Sequence, residues 1–227
     1  MLLNHSNSRM CCAIQKIVES LPAYRDPEKL PFKNGIYLFY EASERSGHAP
    51  RGRIVRVGNH PRSQGRLQGR LRDHYDGDKN FSVFRKFLGG ALLRRRDRHH
   101  SCLKPGPGKG HWEKQDARSC VKCRRVERQV SNLLRDGFKF RCVEIRNKSR
   151  RNALERKLIG SLSGCAICGP SARWLGRHAY NEKVRRSGLW NANHVWGQDI
   201  MSPWDLALFR RLVGRTVERW RTTRQSG

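Results

Sequence analysis

Four side chains of this sequence are of types that could together cut a phosphodiester bond: Tyr37, Arg70, His74 and Glu155. Arg70 and His74 stand one helical turn apart and flank an apolar stripe of Leu67 and Leu71. The fixed charge of arginine suits a phosphate, and histidine moves a proton near neutral pH. Facing a nearby strand tyrosine, they form a phosphate-cutting pair; a solvated basic helix is the alternative. Glu155 carries the third kind of chemistry. At about 100° per residue, Leu154, Leu158, Ile159 and Leu162 span an apolar arc of roughly 140°, and Glu155 falls inside it. An ionised carboxylate facing a core is costly unless a cation or donor meets it. A bound divalent metal would meet it; so would a salt bridge to one of the many arginines.

The elements that must position these residues follow from local pattern. Asn34 to Tyr40 is aromatic and β-branched, and Arg53 to Gly58 alternates charged and apolar residues. The polar, Gly- and Pro-containing loop between them makes the pair an antiparallel hairpin. A helix carries Arg70 over about 62–75, and a second follows at 81–95 with Phe84, Phe87, Leu88, Ala91 and Leu92 apolar. Residues 10–21 give a first helix, with Ile14, Ile17, Val18 and Leu21 on one face and Cys11 and Cys12 as small core-facing residues. Residues 96–122 show no period and form an insertion. Arg124 to Asp136 is a helix, Phe138 to Ile145 a third strand, and the Glu155 helix runs over 149–162 with Ser149 as N-cap. Residues 163–200 give little period, and Ser202-Pro203 opens a last helix. The sum is α+β: a small three-stranded antiparallel sheet flanked by helices, with an N-terminal helical arm (1–33), a central domain (34–200) and a C-terminal helix (201–227).

The strand ends Gly35-Ile36-Tyr37 and Arg56-Val57-Gly58 resemble the two triplets of the GIY-YIG nuclease family. Arg56 departs from the pattern, because a tyrosine usually stands there. Arg70, His74 and Glu155 match the family's arginine, histidine and metal-ligating glutamate in order. Phe81-Ser82-Val83-Phe84-Arg85, Ser171 to Gly176 and Ser187-Gly188-Leu189-Trp190-Asn191 are similar to segments of a group of bacterial, restriction-endonuclease-like members. The resemblance implies a DNA endonuclease using Mg²⁺ or Mn²⁺. Tyr37 would activate the attacking water, as general base or through His74, Arg70 would hold the phosphate, and Glu155 would bind the metal. Asn191 would shape the site, in preference to Asn193. Arg56, Arg66, Arg72 and Asn193 would contact the nucleic acid. Arg56 either substitutes as a phosphate contact or weakens activity. A non-catalytic nucleic-acid binder and an RNA-directed nuclease stand as alternatives.

Composition agrees with a polyanionic partner. The 227 residues carry 48 Lys and Arg against 19 Asp and Glu, a formal charge of +29. Such a field concentrates nucleic acid, or a membrane surface. No run of 18 apolar residues crosses a bilayer, and the first residues lack a secretory apolar region, so a reducing, cytoplasmic location is expected. Eight cysteines are then free thiols or metal ligands. Cys120, Cys123, Cys165 and Cys168 form two CxxC pairs able to offer four thiolates to a structural Zn²⁺. His99, His100, Cys102 and His111 offer another set with Cys120 and Cys123.

Overall fold

The structure, a computed structural model, describes residues 3–48, 52–60, 64–103, 112 and 120–225. His111, the run Lys104 to Gly110 and most of the expected insertion lie outside the described residues. Three strands form one antiparallel sheet in the order β2-β1-β3, with β1 Gly35–Glu41, β2 Ile54–Asn59 and β3 Phe138–Glu144. Both faces of the sheet are largely buried, because β1 and β2 are buried along their length and only Lys139 of β3 is exposed. Tyr37, Phe39 and Phe140 point to one face, where helices α2 (Leu67–Tyr75), α3 (Val83–Arg96) and α4 (Val121–Gly137) cover them. Ile36, Leu38, Val57 and Val143 point to the other, under α1 (Leu3–Val18), α5 (Lys148–Ser163) and α7 (Pro203–Gln225). Each large apolar side chain so buried contributes about 1.5–3 kcal/mol. The α+β class expected from the sequence holds, and both terminal helices belong to the core of the second face.

One irregularity matters for the site. The β1–β2 register shifts between Phe39 and Tyr40, so Phe39 pairs with Arg56 and Tyr40 with Ile54. The extra residue, Val55, leaves both Val55 and Arg56 on the Tyr37 face, while Ile54 and Val57 lie on the other. A charged side chain thereby enters an aromatic layer, and the Arg56 guanidinium stacks 5.0 Å from the Phe84 ring centroid.

Two expectations are corrected. The N-cap of α5 is Asn147, whose side chain accepts the Arg150 N–H; Ser149 lies inside the helix. Residues 163–200, expected as loop, hold a 3-10 turn at Leu175–His178 and a short helix α6, Glu182–Ser187. Arginine bonds to backbone carbonyls hold this region, from Arg177 to Pro170 and from Arg185 to Ala179 and Tyr180. Ser202 does cap α7, sharing reciprocal bonds with Asp205.

Candidate active site

Tyr37 projects from the middle of β1 toward α2. Its hydroxyl lies 2.8 Å from Nε2 of His74, and Nδ1 of His74 lies 2.7 Å from the Ser82 hydroxyl. Ser82 is fixed in turn, because it is the N-cap of α3 and accepts the Arg85 N–H. A chain of three hydroxyl and imidazole groups thus runs from β1 through α2 to the start of α3. It is fully enclosed: Phe39 and Phe84 meet the imidazole edge-on, at centroid distances of 5.7 Å and 5.7 Å. Burial pushes the His74 pKa well below its ordinary value, and Arg56, Arg70 and Arg85 push the same way. The imidazole is therefore neutral at neutral pH, with one nitrogen free to accept a proton.

Arg56 forms the floor beside this chain. Its guanidinium donates to the Trp190 carbonyl and sits within electrostatic range of Tyr37, Arg70 and Glu155. It is buried, so it underlies the site rather than reaching into solvent. Arg70 is more open. It donates to the Phe81 carbonyl at 2.6 Å and lies 3.8 Å from Asp73, which fixes the head while leaving donors to spare. On the same helix Arg66 is exposed, whereas Arg72 pairs with Glu28 at 3.3 Å. Two residues of separation turn Arg72 away from Arg70, so the structure does not bring it to the site.

Glu155 comes from the opposite layer. Helix α5 packs on the far face of the sheet from Tyr37, with Leu154, Leu158, Ile159 and Leu162 buried as its spacing requires. Glu155 stands at the edge of that face, half-buried, beside the last residue of β2. Asn59 donates to its carboxylate at 2.6 Å and to Asn152 at 3.1 Å. Burial raises the Glu155 pKa, and the nearby Arg56 and Arg70 charges oppose the shift. Those two arginines, on the Tyr37 side, link the carboxylate to the other residues around the open end of β2.

A divalent cation fits this corner. Asn59 spends both N–H groups on Asn152 and Glu155, which leaves its side-chain oxygen buried without a partner. An orphan amide oxygen beside a desolvated carboxylate is an oxygen-only donor set of the kind hydrated Mg²⁺ or Mn²⁺ takes. Sequence reasoning missed Asn59 and Asn152, because no spacing rule links a strand end to a helix nearly a hundred residues away.

Asn191 acts on the backbone of β2. Its amide clamps the backbone of Val57, accepting the N–H at 3.1 Å and donating to the carbonyl at 2.8 Å. With the Trp190 N–H on the Val55 carbonyl at 2.6 Å, it seals the open edge of β2. It holds the strand that carries Arg56 and does not face the cleft. Asn193 is exposed.

The four-cysteine zinc site does not form. Cys123 lies in the core of one sheet face and Cys165 and Cys168 in that of the other, so the two CxxC pairs belong to separate clusters. Cys102 joins Cys120 and Cys123, while Cys11 and His48 join Cys165 and Cys168. Cys11 is buried in the core of the second face, as expected, and its sulfur lies beside this second group.

Two strand ends, a helix with Arg and His, and a glutamate on the helix after the third strand define a domain of the GIY-YIG type. The family model described as a GIY-YIG domain matches residues 14–219, and the chain belongs to that family. The match begins within α1 and ends within α7. No curated protein and no solved structure matches the chain. The family is generally one of endonucleases acting on nucleic acid. Among the described residues, no helix is long and apolar enough to cross a membrane.

Proposed function

We propose that this protein is a divalent-metal-dependent endonuclease that hydrolyses DNA phosphodiester bonds. The observation that carries the proposal is the buried hydrogen bond of 2.8 Å between Tyr37 and His74, bordered by Arg56 and Arg70. Tyr37 takes the proton of the attacking water and passes its own to Nε2 of His74. For that transfer His74 donates Nδ1–H to the Ser82 hydroxyl, which keeps Nε2 as acceptor. Burial, with the neighbouring arginines adding to it, holds the imidazole neutral before substrate arrives. A bound phosphate offsets the arginine charge and so raises the basicity of His74.

Arg70 is the phosphate clamp, since it is anchored at one nitrogen and partly exposed at the others. Glu155 with Asn59 would hold the cation, which when bound neutralises the phosphate and supports the leaving oxygen. Arg56 supplies fixed positive charge under the tyrosine, in the place where the family usually has a second phenol. The field of +29 brings the polymer to the site without reading its sequence.

Incubating the protein with Mg²⁺ or Mn²⁺ and a pool of duplexes of varied sequence, and in parallel with structured RNA, tests the proposal. Metal-dependent cleavage of the DNA pool is expected. Cleavage of RNA alone would reassign the substrate. Tight binding to DNA without cleavage of any polymer would mark a binder, in which the buried Arg56 had displaced a needed phenol.

A further inference from the structure

We propose that Cys11, His48, Cys165 and Cys168 bind one Zn²⁺ as a structural site of three thiolates and one imidazole. The ligands come from three places in the chain: helix α1, the loop between β1 and β2, and the turn after α5. One donor atom from each lies within 4.8 Å of all the others. A tetrahedral zinc with bonds of about 2.0–2.3 Å holds its ligand atoms about 3.5–3.8 Å apart, so a small inward movement completes the site. His48 Nε2 already lies 3.2 Å from the Cys165 sulfur.

The surroundings are those of a ligand shell rather than of packed thiols. The Cys168 N–H points at the Cys165 sulfur at 3.4 Å, the inward N–H that a CxxC turn offers to a bound thiolate. Hydroxyls stand by as well, Ser46 at 3.3 Å from Cys168 and Ser8 at 3.8 Å from Cys165. The loop is built to reach the turn. A Cβ on Gly47 would lie 2.4 Å from the Ile167 side chain, so only glycine lets His48 approach the CxxC segment this closely.

Two other readings fit less well. A disulfide uses two sulfurs, and leaves a third thiol and an imidazole converging on it without purpose; all the cysteines are free. Core filling accounts for buried thiols but not for a half-buried imidazole brought in from a polar loop. Zinc accounts for all four groups, and its uptake releases the three thiol protons to solvent. The consequence for the fold is mechanical. The β1–β2 loop joins the strand of Tyr37 to that of Arg56, and zinc would fasten it both to α1 and to the end of the Glu155 helix. The second thiol group, Cys102, Cys120 and Cys123, presents three sulfurs and no fourth ligand among the described residues.

The test uses the full chain purified without chelator, and reads metal rather than cleavage, so it stands apart from the nuclease proposal. Elemental analysis compares wild type with Cys165→Ser, and Co²⁺ substitution reports ligand type by its thiolate charge-transfer and tetrahedral d–d absorption. Wild type is expected to carry one more equivalent of zinc than Cys165→Ser, and a Cys102→Ser/Cys123→Ser variant to keep that equivalent. Should Cys165→Ser fail to fold, His48→Ala removes a half-buried ligand from the β1–β2 loop and leaves the helices and the three thiols in place. It is expected to lose zinc to a competing chelator with affinity at least about tenfold weaker. Wild type that takes up neither zinc nor cobalt, or a His48→Ala protein that holds zinc as tightly as wild type, would overturn the proposal.

Discussion

The phenol of Tyr37 lies directly across Gly58, its partner in the β1–β2 ladder. A Cβ at Gly58 would stand 2.2 Å from the Tyr37 hydroxyl oxygen and 2.3 Å from the ring carbon that bears it. The glycine that ends the second motif is thus the space in which the Tyr37 ring rests. Its absence of a side chain lets the hydroxyl reach His74.

Gly58→Ala is accordingly expected to displace the ring, since neither the strand backbone nor the packed phenol can give way by more than an ångström. Overpacking of this kind costs about 1–3 kcal/mol. The urea midpoint should fall by a corresponding amount, and cleavage should be lost with it. Tyr37→Phe separates the two effects. It keeps the ring against Phe39 and His74, so stability should fall by only about 1 kcal/mol. Cleavage should still drop by about 10²–10⁴-fold. A Tyr37→Phe protein that cuts at the wild-type rate would remove the phenol from the chemistry.

His74 sets an expectation for pH. Burial depresses its pKa in the folded protein, while the unfolded chain has the ordinary value of about 6.5. Between those two values the unfolded state binds a proton that the folded state refuses. The stabilising difference is full above about pH 6.5, and is lost progressively as pH falls toward the depressed folded pKa. Urea midpoints should therefore decline from pH 7.5 to pH 5, and His74→Asn should flatten that decline. An identical slope in both proteins would show that His74 does not take part. His100, His178 and His194 are also depressed, so the difference between variants, not the slope itself, isolates His74.

Glu155 carries the opposite sign. Burial raises its pKa, so the contribution of this group is favourable at low pH and is lost as pH rises through the folded value. Once ionised, and without a cation, the carboxylate costs the protein stability. Glu155→Gln retains an acceptor for Asn59 and should raise the Tm of the metal-free protein at pH 7.5. Millimolar Mg²⁺ should stabilise wild type and leave the variant unchanged. A Tm that falls on substitution would assign Glu155 to an ion pair with Arg56 and Arg70 instead.

Much of this arrangement is legible in the sequence because it rests on period and local chemistry. The aromatic and β-branched run of β1, the alternation of β2 and the spacing of Leu67, Leu71, Arg70 and His74 locate the hairpin and the basic helix, and the arc of Leu154, Leu158, Ile159 and Leu162 locates α5. What stays hidden depends on contacts that no short window contains. Ser82 caps α3, and nothing in its local sequence marks it as the partner of His74. Asn191 matched a family segment, yet its amide turns to the β2 backbone, a use that only the tertiary fold specifies. Cys11 shares a helix face with Ile14 and Val18, and a thiol there is indistinguishable from a small apolar residue until His48, Cys165 and Cys168 arrive from elsewhere. Two CxxC motifs suggested one joint site because sequence gives spacing but not the face of the sheet.

Under the proposed function, cutting and holding DNA are separable, cutting belonging to the Tyr37, Arg70, His74 and Glu155 corner and holding to the spread of basic charge. The most direct measurement takes wild type and Glu155→Gln on one cleavable duplex, and records both the equilibrium affinity without metal across a salt series and the single-turnover rate after Mg²⁺ is added. Affinities should agree within about threefold and weaken with the same steep salt slope, since that slope counts the phosphates that surface Lys and Arg neutralise, and the substitution removes none of these. The rate should fall by at least about a thousandfold in the variant, the scale on which loss of transition-state charge stabilisation is felt. Equal rates in the two proteins would contradict the assignment of the site.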